Sequence, residues 1–151
     1  MLFRISSACI LVLAASVVCF GQAQKPGPAT PPNDTQAIRS SPAYAELLLH
    51  RTELESTLES LLVDYNEGYP KVKELRTELT LLNAEIMRLM VVKPADAGKL
   101  TLALGRLMLR KVELEAELNG LRAQYKDDHP DVRKLKRKID VFESAIREIL
   151  G

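Results

Sequence analysis

The sequence predicts an all-α protein: tandem antiparallel helical hairpins, in a coiled-coil or four-helix arrangement, behind a signal peptide and a flexible linker. Three observations lead there. From Tyr44 onward apolar residues recur every three and four positions, with none of the alternation of a strand. Four prolines, Pro42, Pro70, Pro94 and Pro130, punctuate that pattern where helices can start. Residues 43–91 also repeat at a shift of 60 positions. Composition sets the outer bounds. The 151 residues, 46% apolar and 27% charged with a net charge of +1, make one modest domain, too charged for a multi-span membrane protein and too apolar for wholesale disorder.

Arg4 precedes an eleven-residue apolar run from Ile10 to Phe20, and Gly21-Gln22-Ala23 places small residues at the third and first positions before a cut ahead of Gln24. The run falls short of the roughly 20 apolar residues that a bilayer span needs. Residues 1–23 are therefore expected to be a cleavable signal peptide, with an inner-membrane anchor through residues 5–20 as the alternative. The protein is expected to be exported, and periplasmic or secreted after cleavage. Both cysteines, Cys9 and Cys19, fall within the signal, so the mature chain is expected to have neither a disulfide framework nor a thiol nucleophile. Residues 24–41, with four prolines between Lys25 and Pro32, read as a flexible Pro-rich linker.

Residues 42–92 form the first expected hairpin. Tyr44, Leu47, Leu54, Leu58, Leu61 and Tyr65 line its first helix, and Val72, Leu75, Leu79, Leu82, Ile86 and Leu89 its second. Residues 93–151 form the other. Its stripes are Leu100, Leu104, Leu107, Leu114, Leu118, Leu121 and Tyr125, then Val132, Leu135, Ile139, Phe142, Ile146 and Ile149. Ser41 is expected to cap the helix at Pro42 and Asp96 the third helical segment, while Asp128 with Asp131 resembles a capping box around Pro130. Thirteen identities between the two units, from Ala43/Ala103 to Ile86/Ile146, make them copies of one helix–break–helix motif.

A turn is favoured over a kinked continuous helix at each break, because proline within a helix costs about 3 kcal/mol and Gly68 and Asp128 would interrupt a continuous stripe. Antiparallel pairing then sets Leu121 near Leu135, Leu118 near Ile139 and Leu114 near Phe142. It also sets Glu117 near Lys138 and Arg122 opposite Lys136. One hairpin buries too little apolar surface to offset the entropy of ordering its chain, so the units are expected to pack on each other, on a second copy or on another coiled coil. Charge agrees. Tyr44 to Val92 carries five basic and nine acidic residues, a net −4, and Gly98 to Gly151 carries twelve and nine, a net +3.

No cluster of catalytic type stands out, and the chain is read as a non-enzyme without cofactor or metal. His50 lies beside a core stripe with no partner for base catalysis. The acidic turn Asp127-Asp128-His129-Pro130-Asp131 lacks a recognised ligand spacing, and helix capping accounts for its aspartates. Arg51 and Lys111 occupy stripe positions, where they are expected to fix register at some cost in stability. Arg133, Lys134, Lys136, Arg137 and Lys138 surround Leu135. They are either a solvated face or a contact for anionic lipid or polysaccharide, nucleic acid being excluded by export.

The two turns carry one pattern. Tyr65-x-x-x-Tyr69-Pro70-x-Val72 and Tyr125-x-x-x-His129-Pro130-x-Val132 resemble the tyrosine, His-Pro, valine motif in the periplasmic coiled coils of bacterial polysaccharide chain-length determinants, the Wzz-like co-polymerases. The resemblance covers about 25 residues per unit, and the first copy departs from it at Tyr69. It implies a similar helical module in an envelope setting. The transmembrane helices, α/β region and kinase of that family have no counterpart in the pattern here, so it does not imply co-polymerase activity. The expected function is an exported coiled-coil protein of the bacterial envelope, acting by helix-to-helix association with itself or another coiled-coil envelope protein, with a link to surface polysaccharide export. The alternatives are a small periplasmic helical chaperone and a peripheral binder of anionic lipid or glycan.

Overall fold

The computed structural model describes residues 34–151, and these are 83% helical with no strand among them. The expected signal peptide and most of the expected linker lie outside the described residues. Five α-helices follow one another: α1 (Asp34–Arg39), α2 (Pro42–Asp64), α3 (Pro70–Met90), α4 (Leu102–Arg122) and α5 (Pro130–Leu150), with a 3-10 helix at Pro94–Lys99 before α4. No helix among the described residues is long and apolar enough to cross a membrane.

Three of the four punctuating prolines begin α-helices. Pro42, Pro70 and Pro130 each occupy the first helical turn, where the missing N–H removes no intrahelical bond. Ser41 caps α2 as expected, its hydroxyl accepting from the Tyr44 N–H at 3.2 Å. Two capping expectations are corrected. Pro94 opens only the 3-10 helix, in which Asp96 pairs with Lys99 at 3.0 Å, and α4 is capped by Thr101 accepting from the Leu104 N–H at 3.3 Å. At Pro130 the cap is His129, whose Nδ1 accepts from the Asp131 N–H at 3.3 Å.

The linker expectation also changes at its end. Residues 34–39 form α1, and Ile38 is only 2% exposed within the core shared by α2, α3 and α4. One buried isoleucine fastens this otherwise polar stretch to the helical body.

α2 packs against α3 and α4 against α5, and α4 packs in addition against both α2 and α3. α4 therefore has two apolar faces. Leu104, Met108 and Val112 join Leu47, Leu82 and Leu89 in the larger core, all with no exposure. Leu114 and Leu118 form a separate cluster with Val132 and Leu135, against which Leu121, Ile139 and Phe142 pack. Met108 and Val112 fall outside the expected stripe, because a helix between two neighbours buries more than one face. Gly105 lets α4 approach α2: a Cβ there would lie 3.0 Å from the Cα of Ala43.

Candidate functional site

The chain leaves helical geometry at each expected turn, and the pattern residues explain the turn's shape. Tyr65 and Tyr69 stack with ring centroids 4.1 Å apart and planes 13° from parallel, and Tyr125 and His129 do so at 4.2 Å and 28°. Pro70 and Pro130 then start the next helix, and Val72 and Val132 are fully buried behind them. In the first turn Asn66 Oδ1 accepts from the Gly68 N–H at 2.9 Å, and Arg76 donates to both Glu67 oxygens. In the second, Asp127 Oδ1 takes Arg122 Nε at 2.9 Å and Lys136 Nζ at 3.1 Å.

These pairs move the acids downward. The Arg76 hydrogen bond holds the Glu67 carboxyl below its ordinary value, and Arg122 followed by Lys136 does the same for Asp127. The like-charged pair Arg122/Lys136, which the expected register left unneutralised, is bridged by Asp127. The expected pairing of Glu117 with Lys138 is not among the ion pairs of the described residues. The motif thus acts as a turn-closing device, with its aromatic rings partly exposed at the turns.

On α5, Arg133, Lys134, Arg137 and Lys138 are exposed and Lys136 is half-buried. Lys134 pairs with Asp131 at 3.3 Å and Lys136 with Asp127. Arg133, Arg137 and Lys138 make no ion pair among the described residues. Arg133, Lys134 and Arg137 line a shallow depression beside Pro130.

The strongest charge cluster is internal. Lys111 Nζ lies 2.5 Å from Glu85 Oε1, 3.1 Å from Glu143 Oε2 and 3.5 Å from Glu115 Oε1, joining α3, α4 and α5. Arg88 holds Glu143 with two hydrogen bonds of 2.9 and 3.1 Å. Burial pulls the Lys111 ammonium down, but Glu85 and the other carboxylates outweigh it, so the net shift is upward. The Arg88 hydrogen bond, opposed by desolvation and reinforced by Lys111, lowers Glu143, whereas desolvation raises Glu115 despite Lys111. The stripe position gave away Lys111, but its partners Glu85 and Glu143 stand on other helices and are not indicated by local spacing. Arg51 occupies the matching place on α2, 3.5 Å from Glu55, and its buried Nε makes no hydrogen bond.

An apolar groove remains open between α4 and α5, lined by Leu102, Ala103, Arg106, Leu107 and Phe142. Leu102 is 41% exposed, and Leu107 and Phe142, both expected core residues, are only half-buried. The described residues contain no group of three His, Cys, Asp or Glu side chains placed to hold a metal ion. No protein family, curated protein or solved structure matches the chain.

Proposed function

We propose that this protein is an exported, non-enzymatic component of the bacterial envelope that works by helix-to-helix association, and that its two helix pairs are tandem copies of one hairpin. The observation carrying this reading is the open groove at Leu102, Ala103, Leu107 and Phe142. In the first pair the corresponding Ala43, Leu47 and Leu82 are fully buried, whereas in the second Ala103 is exposed and Leu107 and Phe142 are only half-buried. A helix that fills this groove gains burial for side chains already held in place, so little ordering entropy opposes docking. The signal-like N-terminus and the turn pattern support the envelope setting and a connection with polysaccharide export.

Crosslinking in bacterial cells from a photoreactive residue at Leu102 tests this proposal. Attachment to a helical protein is expected, and a protein that yields no adduct and stays monomeric contradicts it.

The unpaired cations of α5 favour a second, compatible contact with an anionic surface. Binding to vesicles rich in anionic lipid should fall steeply between about 50 and 200 mM salt, and should be lost when Arg133, Arg137 and Lys138 are replaced by Gln. Salt-insensitive binding, or none, removes this second contact.

A further inference from the structure

The 60-residue repeat relates the open groove to one that is already filled. Ala43, Glu46, Leu47 and Leu82 of the first pair correspond to Ala103, Arg106, Leu107 and Phe142 of the second. Within the chain the first of these grooves receives α4. Gly105 sits against Ala43, Arg106 Nε lies 3.5 Å from Glu46 Oε1, and Leu47, Leu82 and Met108 lose all exposure.

The inserting face of α4 also has a counterpart. Gly105, Met108, Lys111 and Val112 correspond to Ala45, Leu48, Arg51 and Thr52 on α2. Ala45 and Thr52 are exposed, Leu48 and Arg51 are half-buried, and Leu49 beside them is 58% exposed. The molecule therefore presents an open groove on α4 and α5 and, on α2, a partly exposed counterpart of the groove-filling face.

We infer that α2 of a second copy docks in the α4/α5 groove, as α4 docks in the α2/α3 groove, so that copies associate head to tail. This rests on the helix-association reading above and names its partner as the chain itself. Charge favours the match. In the contact within the chain Glu46 lies on the groove and Arg106 on the inserting helix; between copies Arg106 would be on the groove and Glu46 on the inserting helix. Arg106 is 69% exposed, leaving guanidinium surface for a second carboxylate. Glu85, the partner of Lys111, corresponds to Ala145, so Arg51, which stays 3.5 Å from Glu55, would find its nearest new carboxylate in Glu148, at the place of Arg88 in the first pair. The acidic first pair would thus meet the basic second pair.

Ala45 in place of Gly105 adds a methyl at the closest approach, so the contact between copies is looser than the one within the chain. Such a heterologous contact is not self-complementary. It grows until a ring closes or continues as an open chain.

The test uses the full mature chain in sedimentation velocity, with Ala103→Arg blocking the groove and Ala45→Arg blocking the inserting helix. Both sites are exposed, so circular dichroism and melting should be unchanged; Leu102→Lys and Leu49→Lys serve in their place if either variant unfolds. The parent protein should grow in mass with concentration, and each variant alone should associate at least about tenfold more weakly. Mixing the two should restore association but stop it at one-to-one heterodimers, because each variant keeps one working surface. Two results overturn the proposal: a parent monomeric at every concentration, or association lost with Ala103→Arg but untouched by Ala45→Arg, which would mean a symmetric groove-to-groove dimer. If the monomeric parent is still crosslinked to another helical protein in cells, head-to-tail assembly fails while the helix-association reading stands.

Discussion

Lys111 and Gly105 show how single residues set the distance and order of the helices. Lys111 is buried among carboxylates from three helices, so its removal strands Glu85, which is only 6% exposed. Lys111→Met should destabilise the protein by about 3 kcal/mol, and adding Glu85→Met should return it to within about 1 kcal/mol of the parent. Denaturant unfolding of the four proteins in the cycle gives both numbers. If the double variant is no better than the single, the pair does not act as a unit.

The lowered pKa of Glu143 gives that residue a sign in pH. A carboxylate with a depressed folded-state pKa contributes stability above its ordinary value, and this is lost as pH falls through the lowered one. Glu143→Gln should therefore melt below the parent at about pH 7, and the difference should shrink as the pH falls through the lowered value of Glu143. Glu115 is raised, in part by Glu143, and acts oppositely, so its relaxation in Glu143→Gln offsets part of the difference at about pH 7. A constant gap across the range would show that the charge of Glu143 is irrelevant.

The two helical glycines of α4 behave differently. A methyl at Gly105 would lie 3.0 Å from Ala43 Cα and 3.1 Å from its carbonyl oxygen, whereas one at Gly120 meets nothing within 4 Å. Gly105→Ala should cost about 1–2 kcal/mol by forcing α2 and α4 apart. Gly120→Ala should gain about 0.5–1 kcal/mol from helix propensity alone. Equal effects in thermal melts would contradict the close approach of the two helices.

At the scale of elements, helix starts were legible wherever proline coincided with a core stripe. Pro42, Pro70 and Pro130 meet that condition. Pro94 does not, because the residues after it, Ala95 to Lys99, carry no buried side chain and settle into a 3-10 helix. α1 was hidden for the opposite reason. It is six residues long with Ile38 as its buried anchor, too short for a periodicity to show. The turn pattern was visible as spacing, but its physical role was not. That tyrosine stacks on the residue four positions later, and that His129 caps α5 through its ring nitrogen, depends on how the chain folds back between the helices.

For the molecule as a whole, apolar spacing identified most buried positions of α2 and α3 but only part of α4. A single stripe describes a helix with one neighbour, whereas α4 lies against α2, α3 and α5. The same limit explains why the groove at Leu102 and Phe142 could not be read from the sequence. Both belong to apolar runs, and only the packing shows which pair is covered and which is left open. The 60-residue repeat gives that asymmetry its meaning, since Leu47 and Leu82 are sealed in one copy while the equivalent Leu107 and Phe142 stay half-buried in the other.

The most direct measurement of helix-to-helix association compares photocrosslinking in cells from two exposed positions of α4, Leu102 in the groove and Gly120 away from it. Adducts with a helical protein from Leu102, and none from Gly120, are the expected result. Equal labelling from both positions, or none from either, would contradict the account.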